Sequence, residues 1–432
     1  MRSKIKPNIT NFNFVLTSIV LLMYCAIRFV KLFLKNSPAG DEFGFSTVFN
    51  LYQEKGYSAA LSEGSSVLFN IAASFFNLFF SDTLLSLRFT SLFFGILSFL
   101  MVIKIQKTFF SLSKNYFILF IITSASILIV SSIFFAGIND TMIYFIISLM
   151  IFVMFKYQKE KKIVKFSLII GLLLGCMFLT RKMSVLYLPS IFLILILLYN
   201  DLKIKTPLKL KSFIIIISVS ALLVSAFNLP NLAKGKGISF HEKKLDKEIT
   251  WQQLQYLTAI MNSNGDVENG QHATLDQVKQ YIKKNGKESL PSSFLGTIFF
   301  DISFTVKQFF KNIFVQIIPI TRLSGLVFLF LILFGLQNFS KKSSNKHQYV
   351  ILFFFTFIIS LCLIVINYIE PRWYVGLLIL LTVPVFSFLQ EYSQDKNKKE
   401  VLNFIFINTQ LLFILIINLP YLLSNYKLLL QY

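Results

Sequence analysis

Long apolar runs separated by short polar connectors set the pattern of this chain. Most runs last roughly 17–23 residues, enough for a helix to cross a hydrocarbon core. About eleven such runs are expected to span a membrane: Phe14–Leu34, Arg88–Lys104, Tyr116–Ala136, Met142–Phe155, Phe166–Thr180, Met183–Leu198, Phe213–Leu229, Leu323–Phe339, Val350–Ile366, Trp373–Leu389 and Val401–Leu423. Met142–Phe155 is short for a span and is expected to extend into its flanks. The first run follows a basic stretch but shows no clear small-residue cleavage site, so it reads as a retained helix. The pattern predicts an all-α polytopic membrane protein, a single domain over 1–432.

Two connectors are too long to be turns. Residues 35–85 open with Asn36-Ser-Pro-Ala-Gly-Asp-Glu, a turn-forming sequence, and continue into Ser65–Phe80, where apolar residues mix with Ser and Asn. That mixture predicts a juxtamembrane helix lying on the membrane face. Residues 230–321 form the second. Their polar part, Pro230–Pro291, contains Thr274–Lys284, with Thr274 and Gln277 at capping-box spacing. Ser293–Pro319 is rich in Phe but carries Asp301, Lys307 and Lys311, which favours a juxtamembrane helix over a span; a buried tilted pair is the alternative. Together the two connectors predict a cap on one face.

Charge then orients the bundle. Arg2/Lys4/Lys6, Lys104/Lys107/Lys114, Lys156/Lys159/Lys161/Lys162/Lys165, Lys203/Lys205/Lys209/Lys211, Lys341/Lys342/Lys346 and Lys396/Lys398/Lys399 hold 21 of the 42 Lys and Arg. All six groups fall on one side if the runs alternate direction, which makes that side cytoplasmic. The N-terminus then lies inside and the C-terminus outside. The net charge of +22 is explained by these loops against anionic headgroups; no soluble basic domain exists to bind nucleic acid. With 55% hydrophobic residues the chain exceeds ordinary soluble composition. Its three cysteines, Cys25, Cys176 and Cys362, sit in apolar runs without metal spacing and read as small buried hydrophobes.

The opposite, outer connectors carry the isolated charges. Asp41-Glu42 follows the first run. A carboxylate there could deprotonate a nucleophile, or both acids could be merely solvated. Asp140 sits in a short connector, as a site residue or as the N-cap of the next helix. Arg181-Lys182 ends the fifth run, against the positive-inside bias; the pair suits a phosphate or snorkels to headgroups. Glu370-Pro371-Arg372-Trp373-Tyr374 opens the tenth run. Arg372 could bind a phosphate oxygen, or pair with Glu370 within an interfacial aromatic belt. Arg88 and Arg322 carry the same ambiguity, and His241 could be a site residue or a solvated loop histidine. Asp41, Glu42 and Asp140 could share a divalent ion with a phosphate, or work without one. No HExxH, GxSxG, Walker A or GxGxxG motif is present.

These motifs, in this order, resemble the GT-C glycosyltransferases. The acids after the first helix and the apolar stretch leading to Leu85-Ser-Leu-Arg-Phe-Thr-Ser are similar to the start of those enzymes. Asn139-Asp140-Thr resembles their second acidic position. Gly171-Leu-Leu-Leu-Gly-Cys-Met-Phe-Leu-Thr-Arg-Lys looks like their fifth helix, and Glu370-Pro-Arg-Trp-Tyr like their late basic–aromatic motif. The branch that includes protein O-mannosyltransferases and aminoarabinose transferases is the most similar. The resemblance implies transfer of a hexosyl or pentosyl group, with inversion, from a polyprenyl-phosphate-linked donor to a lipid, glycan or protein acceptor on the extracytoplasmic face. Asp41, with Glu42 beside it, would act as the base or orient the acceptor. Asp140 would position substrate, and Arg181, Lys182 and Arg372 would hold the donor phosphate. Arg88, Glu370, Tyr374 and His241 would support them. A bacterial plasma membrane is the expected location; an endoplasmic reticulum membrane would place the same face in the lumen. Gly64-Ser-Ser-Val-Leu-Phe lacks the family's usual Pro, and Arg181-Lys182 stands where a lone Lys is usual. A transporter or flippase of lipid-linked saccharides, and a polymerase or ligase of them, are the competing classes. The former is expected to show internal repeats and helices broken at mid-depth, which the sequence does not display.

Overall fold

The computed structural model describes residues 2–34, 37–38, 40–131, 133–160, 162–239, 249–268, 270–331, 345–392 and 399–429. The helices run α1 (Arg2–Leu34), α2 (Asp41–Lys55), α3 (Tyr57–Ser62), α4 (Val67–Phe80), α5 (Thr83–Phe109), α6 (Lys114–Val130), α7 (Asp140–Glu160), α8 (Ile163–Thr180), α9 (Leu188–Asp201) and α10 (Thr206–Leu232). They continue with α11 (Trp251–Asn264), α12 (Leu275–Asn285), α13 (Phe294–Phe299), α14 (Ile302–Ser324), α15 (Asn345–Cys362), α16 (Val375–Tyr392) and α17 (Lys399–Leu429). Among the described residues seven helices are long and apolar enough to cross a membrane, and α4, α6, α15 and α16 are shorter apolar helices. The protein is an all-α polytopic membrane protein.

Most expected runs appear as helices, with instructive differences at their ends. Met142–Phe155 does extend, into α7. The α-helix of Tyr116–Ala136 ends at Val130, with a 3₁₀ turn following over Ile133–Phe135, and that of Val350–Ile366 ends at Cys362. In both, the chain leaves the helix to build loops at the face that carries the cap. Leu323–Phe339 is interrupted at Gly325, which takes a positive φ of 64°. The broken backbone is satisfied by Gln410, whose amide nitrogen donates to Ser324 O at 3.2 Å and whose oxygen accepts from Leu326 N at 2.9 Å. Beyond residue 331 that run lies outside the described residues.

Lipid supplies little drive for helix association, so close approach and interhelical hydrogen bonds hold such bundles. At Gly171 an added Cβ would stand 2.8 Å from the Ile216 carbonyl oxygen of α10, so α8 and α10 meet backbone to backbone. Asn13 of α1 donates to Asn408 of α17 at 2.7 Å. α16 runs through the middle, buried on every side from Val375 to Leu389 apart from Phe388. Outward faces stay apolar, as with Leu222 on α10 and Ile96 on α5.

The connector 35–85 is more helical than its sequence predicts. α2 begins at Asp41 with two acids in its first turn, the favourable sign at a helix N-terminus, and ends at Gly56. α4 realises the expected juxtamembrane helix, exposing Phe75, Leu78 and Phe79 and burying Phe69 and Asn70. In the second connector, Thr274–Gln277 forms the expected capping box on α12, and Thr250–Gln253 forms another on α11. These helices enclose a small core of Leu254, Leu257, Ala259, Val278 and Leu290, to which Val365 also belongs. α14 inverts the usual amphipathic pattern. It buries Gln308, Asn312 and Gln316 and exposes Phe310, Phe314 and Ile318, which suits a helix with lipid on its outer side.

Candidate active site

Asp41 and Glu42 begin the same helix but meet different partners. Glu42 is 3% exposed and lies on Arg88, which is 1% exposed. Arg88 Nε donates to Glu42 Oε1 at 3.0 Å and Nη2 to Oε2 at 3.1 Å, a bidentate pair. Its remaining donors reach Leu32 O at 3.1 Å and Ser37 O at 3.3 Å, while Glu42 Oε1 also accepts from Gly137 N at 2.9 Å. This pair ties the end of α1, the start of α2, the start of α5 and the turn before α7 into one block.

Asp41 instead receives Arg372. The same guanidinium pairs with Glu370, Nη2 donating to Oε1 at 2.9 Å. Asp41, Glu370 and Arg372 remain partly exposed, at 23%, 38% and 17% of their side chains. Burial disfavours the Arg372 charge, but the carboxylates of Asp140, Glu370 and Asp41 outweigh it and raise its pKa further. That influence of Asp140 on Arg372 links this group electrostatically to the next.

Asp140 opens α7, preceded by Asn139, so it is a first-turn acid and not the N-cap. Its Oδ1 accepts from Arg181, the residue at which α8 ends in extended backbone. The Thr180 carbonyl freed by that ending accepts from Asn139 Nδ2 at 2.6 Å and from Ser66 Oγ at 2.7 Å. α4, α7 and α8 thus present Asp140 and Arg181 together. A small, open-mouthed cavity adjoins the pair; Tyr144, Tyr187, Phe357 and Trp373 contribute to its wall. Lys182 follows in a short 3₁₀ turn and is half-buried.

The strap of residues 363–370 carries Glu370 and Arg372 towards Asp41, and it is not helical. Non-helical backbone within a membrane protein must find partners inside the protein. Gln308 donates to Ile366 O at 3.0 Å, Asn312 to Cys362 O at 3.4 Å, and Gln316 to Ile369 O at 3.3 Å. Tyr374, fully buried, donates its hydroxyl to Gln316 Oε1 at 2.8 Å. From the other side, Asn367 donates to Gln271 O at 3.0 Å, joining the strap to the cap. Sequence reasoning missed these amides. Their signal was present: polar residues at 308, 312 and 316, every fourth position, inside a Phe-rich stretch.

The remaining candidates lie elsewhere. Arg322 rests over the Tyr421 ring and donates to its hydroxyl. His241 lies outside the described residues. Among the described residues no group of three or more His, Cys, Asp or Glu is arranged to hold a metal. Asp41, Glu42 and Asp140 each face an arginine instead, so they do not fit a shared ion.

The sequence model of the dolichyl-phosphate-mannose-protein mannosyltransferase family matches residues 65–226. The matched stretch includes Arg88, Asp140, Arg181 and Lys182 but not Asp41, Glu42, Glu370 or Arg372. No curated protein matches the chain. The family match, on an all-helical multi-span fold, supports a GT-C glycosyltransferase in general terms.

Proposed function

We propose that the protein transfers a sugar from a polyprenyl-phosphate donor to an acceptor at the extracytoplasmic face, with inversion. The observation that carries this reading is the sharing of Arg372 between Asp41 and Glu370, beside a second carboxylate–arginine pair, Asp140–Arg181. A donor phosphate diester needs fixed cations where negative charge grows as the lipid phosphate departs. Arg372, Arg181 and Lys182 supply them. The acceptor X–H attacks the anomeric carbon and loses its proton to Asp41, while the bond from that carbon to the phosphate oxygen breaks and its electron pair leaves with the lipid phosphate. Asp140 positions the sugar.

The paired state also orders these events. Arg372 faces Asp41. A donor phosphate competes for that guanidinium and releases the Asp41 carboxylate to the acceptor. The base is thereby freed when the donor is seated.

The test uses purified protein in nanodiscs with a panel of radiolabelled polyprenyl-phosphate sugars and membrane-extract acceptors. Transfer of label by wild type and its loss in Asp41→Asn, at unchanged thermal stability, is the expected result. Wild-type rates in Asp41→Asn would remove Asp41 as the base. Movement of intact donor across the bilayer, without transfer, would favour a flippase.

A further inference from the structure

We propose that the cavity beside Asp140 is a sugar-hydroxyl subsite in which Tyr144 and Trp373 read the sugar. It rests on the transferase reading above and gives Asp140 its partners. Two buried polar atoms of residues lining this one cavity, Asp140 Oδ2 and Trp373 Nε1, have no hydrogen-bond partner among the described residues, and a third, Tyr144 Oη, is met by the Gly376 backbone N–H but has no acceptor for its own hydrogen. Asp140 is 5%, Tyr144 2% and Trp373 7% exposed. Buried polar atoms are nearly always satisfied, and each one left unmet destabilises the protein. Three groups with unmet capacity around one cavity point to a ligand that completes them.

The chemistry of the three atoms selects the ligand. The carboxylate oxygen needs a donor and repels a phosphate. The indole N–H needs an acceptor. The phenol needs an acceptor too. A hydroxyl donates and accepts at once, so neighbouring hydroxyls on a sugar match the set. The other polar groups nearby are already committed. Tyr187 donates to Trp373 O at 3.0 Å and Ser184 to Met177 O at 2.9 Å. Arg181 holds the other Asp140 oxygen and thereby fixes the free one. Tyr187 stacks on Phe357 with centroids 4.0 Å apart, an aromatic wall suited to the C–H face of a sugar ring. The Tyr144 ring lies against the start of α16, where a Cβ at Gly376 would stand 2.1 Å from it. Only glycine admits the ring there, so its position is set by the fold.

Trp251 and Trp373 are the two tryptophans of the chain. A Trp251→Phe protein therefore carries Trp373 as its sole indole reporter. Its emission is followed in nanodiscs against polyprenyl-phosphate monosaccharides that differ at single hydroxyls, against sugar-free polyprenyl phosphate, and against methyl glycosides as acceptor-type sugars. Sugar-bearing lipids are expected to shift the emission and the sugar-free lipid is not. A shift with methyl glycosides alone would assign the subsite to the acceptor sugar. Equal response to the sugar-free lipid would overturn the proposal. In parallel, Trp373→Phe and Tyr144→Phe are expected to raise KM about tenfold for the sugar bearing the contacted hydroxyl and little for its deoxy form. Thermal unfolding should be unchanged in Trp373→Phe, whose deleted atom has no protein partner to lose, and slightly lowered in Tyr144→Phe, which loses the Gly376 contact. Wild-type KM in both variants on every sugar would mean that water alone fills the cavity, and would overturn the proposal while leaving an Asp41-dependent transferase intact. Sugar-dependent emission without transfer from any donor would do the reverse.

Discussion

Asp41 and Glu42 are adjacent in sequence and start the same helix, yet each faces a different arginine. Glu42 and Arg88 are sealed from solvent, and Arg88 donates to the Glu42 carboxylate and to the Leu32 and Ser37 carbonyls. Asp41 and Arg372 remain partly open, and Arg372 divides itself between two carboxylates. A buried pair that is fully satisfied fixes geometry and is intolerant of losing one partner. An open pair with competing carboxylates can exchange one for a ligand. Helix periodicity explains the division: successive residues on a helix point about 100° apart. The inward position is sealed in a buried ion pair, and the sideways one stays open to solvent, where the proposed base would have to lie.

The comparison breaks most sharply at Asp41. Asp41→Asn should lower kcat by about 10²–10⁴-fold, the range for losing a general base, with Tm unchanged. Glu42→Gln should act the other way round. It leaves Arg88 charged, buried and half-partnered, which destabilises by about 3–5 kcal/mol, and the lost activity should follow the folded fraction. Thermal unfolding beside specific activity per folded molecule separates the two. A Glu42→Gln protein that is as stable as wild type but inactive would return Glu42 to the chemistry.

The same division explains what could be read in the sequence. Apolar runs of span length and the lysine asymmetry were enough for an all-helical bundle, because the requirement to span a membrane acts on every residue of a run. Isolated charges on the opposite connectors marked Asp41, Asp140, Arg181, Glu370 and Arg372 for the same reason: a charge away from the lysine side needs an explanation. Their pairing was not legible. Glu42–Arg88 joins residues 46 apart and Asp41–Arg372 residues 331 apart, and no local period encodes such distances. The end of α15 at Cys362 was also hidden, since Leu363–Ile366 is as apolar as the helix before it. What ends the helix there is the set of amides on α14 that hold the strap in its extended course.

Arg372→Lys sharpens the comparison from the open side. A point charge on a flexible stem cannot hold Asp41, Glu370 and a phosphate in one plane. Donor KM is expected to rise about tenfold, equivalent to about 1.4 kcal/mol, with little effect on Tm. Arg88→Lys, by contrast, should lower Tm and leave the KM of the surviving folded protein near wild type. Similar KM effects from both lysines would erase the distinction between the two arginines.

The smallest expected effect lies furthest from the charges. Gln316→Met removes one rung beneath the strap: its donor to Ile369 O and its acceptor for the Tyr374 hydroxyl. Stability should fall by about 1–3 kcal/mol, because two buried groups lose their partner. The more telling readout is the split between kcat and donor KM. Gln316 touches neither carboxylate nor cation. If the strap sets how far Arg372 reaches, donor KM rises while the kcat of the bound complex stays close to wild type, and adding Tyr374→Phe, which removes the stranded hydroxyl, restores part of the stability without restoring KM. Recovery of both together would reduce the amide ladder to support for the backbone. Recovery of stability alone would make it the element that aims the open arginine, as the Leu32 and Ser37 carbonyls aim the sealed one.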